Sequence, residues 1–221
     1  MPGPVFFPMI ERDPAKARRS ALLRLSAACG VLAPVIYALV IFVLGLLTPG
    51  YSQITQLMSE LGETGAPFAL VMNLGGFLLL GILLIAFSFG LYASLPPSRA
   101  GCAGAVLVMI AGLTYAGEAT FSCDIGCLAV TTAGSLHLLI GEIAVIVAIL
   151  ASFALAIAMR KDPRWKGYWQ CSLATGVLVI LLLSLFTVFP TGQGAVQRLV
   201  VGVILLWMLA IARQAYRILS G

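Results

Sequence analysis

An all-α integral membrane bundle of six transmembrane helices is the fold this sequence predicts, and three observations predict it. The chain is 61% hydrophobic and only 10% charged, whereas a soluble domain carries about 25% charged residues. Its apolar residues come in six runs, each near the roughly 20 helical residues needed to cross a ~30 Å hydrocarbon layer. Its basic residues gather in alternate connections. The runs lack the polar–apolar alternation of a barrel strand, and a helix satisfies its own backbone in lipid.

In order, the spans read as 25–47, 68–91, 101–121, 135–158, 170–189 and 195–212. The segment before the first holds Arg12, Lys16, Arg18, Arg19 and Arg24. Residues 1–20, with four prolines and mixed charge, read as a mobile tail, and 21–221 as a single transmembrane domain. The first span is too long for a signal-peptide core, and no small-residue cleavage pattern precedes Tyr51, so it is expected to be retained. The second connection holds Arg99, the fourth Arg160, Lys161, Arg164 and Lys166, and the C-terminal end Arg213 and Arg217. That places 12 of 13 basic residues on one side, leaving Arg198 on the other. The positive-inside rule makes the basic side, with both termini, cytoplasmic. The +5 net charge therefore reads as a topology signal, and no nucleic-acid partner is expected.

No 20–50-residue repeat is visible, so a repeat-built transporter is not indicated. Gly75–Gly76, Gly101/Gly104 and Gly134/Gly141 offer small faces for helix contact. Trp165, Tyr168, Trp169 and Tyr216 suit an interfacial belt. The first outer connection, TPGYSQITQLMSELGETGAP, spaces Tyr51, Ile54, Leu57, Met58 and Leu61 as on a helix. With Ser52 as N-cap and Gly62 as stop, it predicts a short amphipathic helix showing Gln53, Gln56 and Glu60 on its polar side.

The polar residues concentrate at the outer end. Glu60, Glu63, Glu118, Asp124 and Glu142 lie there with His137, the only histidine, and Arg198. An ionisable group inside a span costs a few kcal/mol and generally faces a protein interior or a wet cavity. His137 and Glu142 are five residues apart, about 140° around an ideal helix, so they do not form a same-face pair.

Several segments together resemble a known family: YSQITQLMSELGETGAP, NLGGFLLLG, FSCDIGC followed by GSLH, RKDPRWKGYWQCSLATG and AVQRLVVGVILLW. Their order is similar to the bacterial and archaeal multi-pass family known only as a domain of unknown function, number nine-nine-eight. The resemblance spans about residues 25–217. It implies six membrane helices and no activity. The family's recurring polar positions map onto Ser59, Glu60, Asp124, His137, Gln197 and Arg198. Where the family often has Phe-Pro-x-Asp-Pro, this chain has Phe121-Ser122-Cys123-Asp124-Ile125. Cysteine pairs occur there in some relatives.

Three states are open to Cys123 and Cys127: a disulfide, free thiols, or metal ligation, ranked in that order if the loop faces an oxidising compartment. Cys29, Cys102 and Cys171 read as inert packing residues. Zinc would require Cys123, Cys127, His137 and a carboxylate together; no metal and no cofactor is expected. Ser59, His137 and Asp124 are candidates for nucleophile, base and orienter of a hydrolase, although Ser59 lacks the G-x-S-x-G elbow. Arg198 could bind an anionic head group, or neutralise the nearby carboxylates in a purely structural network.

The reading that combines these features is an outer-face cavity for a small amphipathic or lipid-like molecule. Its expected ligand-binding residues are Glu60, Asp124, His137, Glu142, Gln197 and Arg198. An intramembrane hydrolase acting on a lipid-like substrate and a structural subunit of a membrane assembly are the alternatives. Membrane lipids are the expected surroundings, in a plasma or inner membrane. Oligomeric state does not follow from the chain.

Overall fold

A computed structural model describes residues 14–221. It contains no strand among the described residues and six helices long and apolar enough to cross a membrane, so the chain is a multi-pass membrane protein. These are α1, Pro14–Leu47; α2, Val71–Ser94; α3, Arg99–Thr120; α4, Thr132–Met159; α5, Tyr168–Leu183; and α6, Gln193–Ser220. Residues 1–13 of the expected tail lie outside the described residues, and 14–20 open α1. Each helix packs on its sequence neighbour, and α1 against α6 closes the ring; α2 also reaches α6.

Helix ends follow local chemistry more than hydropathy. α1 is already helical at Pro14, the first described residue and eleven positions before the apolar run. Ser98 and Thr131 cap α3 and α4 by accepting from the Gly101 and Gly134 amides. α5 stops at Leu183, followed by one turn, Leu185–Val188. There Ser184 donates to the Leu181 carbonyl and Thr187 to that of Ser184, and Pro190 cannot continue a helix. α2 begins with eight residues of π-helix, Val71–Leu78, a geometry frequent at functional sites.

The first connection differs from the expected amphipathic helix. A turn at Ser52–Thr55, closed by the Ser52 hydroxyl on the Thr55 amide, leads into a five-residue 3-10 helix, Met58–Gly62. The reason is Glu60, which accepts from the Leu57 amide at 2.7 Å and the Gln56 side chain at 2.8 Å. These side-chain bonds compete with helix bonds upstream. Met58 and Leu61 turn inward and are buried.

At the end where α6 finishes, the interior is filled. Trp165, fully buried, donates to the Ser94 carbonyl at 3.2 Å and stacks edge-on with Tyr168. It therefore plugs the interior, contrary to the interfacial role expected of it. Leu91, Met159, Ile211 and Ala215 complete the plug. Cys102 and Cys171 point outward, so packing does not explain them; Cys29 is partly buried. Of the expected small faces, Gly104 is filled by Leu155 of α4.

Candidate functional site

At the opposite end, the first, third and fifth connections meet. Arg198, in the first turns of α6, ties the first connection down. It donates to the Gln53 side chain at 2.7 Å, to the Gln56 and Gly194 carbonyls at 2.9 Å each, and to the Tyr51 hydroxyl. Its guanidinium also sits 5.5 Å from the Tyr51 ring centroid. Tyr51 donates its own hydroxyl hydrogen bond to the Leu57 carbonyl at 2.9 Å, and burial pushes its phenol above the ordinary range, so the group stays neutral. The approach is backbone to backbone: a Cβ on Gly194 would stand 2.1 Å from the Gln56 carbonyl oxygen. Arg198 therefore neither pairs with a carboxylate nor is free for an anion. Among the described residues the only ion pair is Arg164–Asp162, at 2.7 Å in the fourth connection.

The third connection is stapled. Cys123 and Cys127 form a disulfide, so the set considered for zinc is not assembled. Asp124 accepts from the Val130 amide at 2.9 Å, the Thr131 amide at 2.7 Å and the Thr131 hydroxyl at 2.8 Å, just before α4. The Thr131 bonds hold its carboxyl below the usual carboxylate range. Such a group contributes stability above its unfolded pKa and loses it as pH falls through the lower folded value. Asp124→Ala should therefore speed amide exchange at 130–134 at neutral pH. In the wild type the same loosening should appear only in acid, below the ordinary aspartate value. The connection is also tied to the first one: the Gly126 amide donates to Glu63 at 2.6 Å and the Thr64 amide to the Cys123 carbonyl at 3.0 Å.

Beneath these connections lies a cavity of about 500 Å³, within the size range of small-molecule sites. Tyr37 of α1, Phe77 of α2 and Tyr115 of α3 form an aromatic wall, with Tyr37 6.0 Å from Phe77 and 5.8 Å from Tyr115 between ring centroids. His137 of α4 meets the Phe77 ring edge-on at 5.8 Å. Ile146, Leu183 and Phe186 line it on the side where α5 breaks. Ser59, Glu118, Glu142 and Gln197 supply the remaining polar lining. Gln197 is half structural, since its carbonyl accepts from the Met58 amide at 2.6 Å.

Two of these groups are nearly sealed from solvent and incompletely bonded. His137 is 3% exposed and Glu118 7%. Nδ1 of His137 faces the Phe121 carbonyl at 2.7 Å and that of Glu118 at 3.3 Å. Both partners are acceptors, so Nδ1 carries the proton and Nε2 presents a lone pair. Nε2 of His137 and Oε2 of Glu118 have no partner, in a setting where buried polar atoms are nearly always bonded. Gly141 leaves room for the carboxylate: a Cβ there would come within 2.8 Å of Glu118 Oε1.

The expected site residues thus divide. His137, Glu142, Gln197 and Ser59 share the cavity wall, with Glu142 at its exposed rim. Glu60, Asp124 and Arg198 are engaged in the connections above it. The hydrolase arrangement does not assemble, because backbone carbonyls orient His137 while Asp124 is committed to Thr131. Sequence reading left Glu118 out of the site, although an acid within a span was the available signal. Tyr37, Phe77 and Tyr115 gave no signal, being ordinary span residues until packing brings them together.

A sequence profile of the family described as "Protein of unknown function (DUF998)" matches residues 31–214. No curated protein and no solved structure matches the chain.

Proposed function

Because the chain belongs to the DUF998 family, whose description names no activity, we propose from the site alone that the protein binds a small amphipathic or lipid-like molecule. The cavity takes this guest from the outer leaflet of a plasma or inner membrane, with both termini cytoplasmic. One observation carries the reading: two buried, partnerless polar atoms, on His137 and Glu118, line a largely apolar chamber. Leaving such atoms unbonded costs about 1–3 kcal/mol each, a cost that a guest's polar end would offset. The side lined by Ile146, Leu183 and Phe186 would hold its aliphatic part. The orientation rests on the placement of 12 of 13 basic residues.

Filling the chamber tests this. Val145→Phe places a ring beside the cavity from a half-buried position. Native mass spectrometry of protein released from nanodiscs should show an adduct on the wild type that the variant lacks, with folding matched by thermal melting. An adduct surviving in a folded Val145→Phe protein overturns the reading. A fluorescent-protein fusion at Gly221 should light up inside the cell; a dark fusion at normal abundance overturns the orientation.

A further inference from the structure

The charge of the cavity narrows its guest. Among the described residues two acidic side chains line it, Glu118 and Glu142, and no lysine or arginine does. Arg198 cannot turn inward without abandoning Gln53, Gln56, Gly194 and Tyr51. A phosphate or carboxylate head would therefore sit beside a buried carboxylate with no compensating cation, an arrangement of high cost in a low-dielectric setting. The unfilled atoms ask for the opposite. Nε2 of His137 is an acceptor because Nδ1 holds the proton against two carbonyls, and the Glu118 carboxyl, once ionised by a cationic guest, accepts only. Tyr37, Phe77 and Tyr115 add ring faces of the kind that attract cations.

Resting on the cavity reading above, we propose that the guest is an amine-bearing amphiphile: a protonated primary or secondary amine donating to Glu118 and His137, on an aliphatic chain that leaves past Ile146, Leu183 and Phe186. An ammonium supplies several donors from one atom and neutralises the carboxylate it meets. A hydroxyl supplies one donor and no charge. A buried acid is thereby kept charged by its guest, as intramembrane charges generally are by a partner.

The test uses full-length protein in zwitterionic nanodiscs and four probes with one chain length: dodecylamine, dodecanol, dodecanoate and dodecyl phosphate. Binding is read by native mass spectrometry on the wild type, Glu118→Gln and Val145→Phe. The expected result is dodecylamine held at least tenfold tighter than the other three by the wild type. Glu118→Gln should remove most of that advantage, with its melting temperature no lower. If dodecanol or either anion matches or exceeds the amine, the amine assignment is overturned and the cavity reading stands. If Glu118→Gln keeps the full amine preference, the assignment is likewise overturned. If no probe binds the wild type, or all bind folded Val145→Phe equally, the cavity reading falls and the assignment with it.

Discussion

Arg198→Ala should lower the melting temperature of the detergent-solubilised protein by roughly 10 °C, the scale of a loss of about 3–5 kcal/mol in a chain of this size. The mechanism is a stranding of acceptors. The guanidinium serves the Gln56 and Gly194 carbonyls, the Gln53 amide oxygen and the Tyr51 hydroxyl at once. Each bond to a charged donor is worth about 1.5–3 kcal/mol, less where water can replace it. Arg198 is partly buried, so the sum is well below four full bonds. Arg198→Lys should recover only part of the loss, because an ammonium cannot span this planar fork. Thermal melting of the three proteins checks the order. A wild-type melting point for Arg198→Ala would show that the first connection is held by other contacts.

Glu118→Gln should move stability the other way. A nearly sealed carboxyl that lacks a partner for Oε2 costs folding either a buried charge or the uptake of a proton, an uncharged amide costs neither, and the empty protein should gain about 1–3 kcal/mol. A structural polar network makes the opposite forecast, since breaking a satisfied network destabilises. Melting curves of guest-free wild type and variant therefore separate a site from a scaffold by sign alone. A stabilised variant is expected, as at sites whose strain serves function. A clear fall in melting temperature would mean that Glu118 is bonded in the folded chain.

The contrast between these two residues marks how far the sequence could be read. Six apolar runs and the sided basic residues foreshadow the helices, because the bilayer imposes length and satisfied backbone on every span. Helix ends were less legible: Ser184 acts through a local bond to the Leu181 carbonyl that hydropathy does not register. The first connection was misread since Leu57, Met58 and Leu61 do have helical spacing, yet Glu60 reaches back for Gln56 and the Leu57 amide. Arg198 was placed among acids because they share one end of the molecule, but only packing reveals that Gly194 lets the Gln56 carbonyl come close enough to claim it. Likewise Glu118 and His137 are nineteen positions apart on separate helices, and their common cavity is a property of the α3–α4 contact.

The Trp165 plug has a kinetic corollary. A cavity at one end of a bundle whose other end is filled by Trp165 seated on Ser94 is a cul-de-sac. Whatever enters must leave through the same door, so net conduction across the bundle would require dismantling a fully buried tryptophan seat. Widening or narrowing that door, at Phe186 for instance, would speed or slow arrival and departure by one common factor. Microscopic reversibility then leaves occupancy at equilibrium untouched, while walls deeper inside govern how long a visitor prefers to stay.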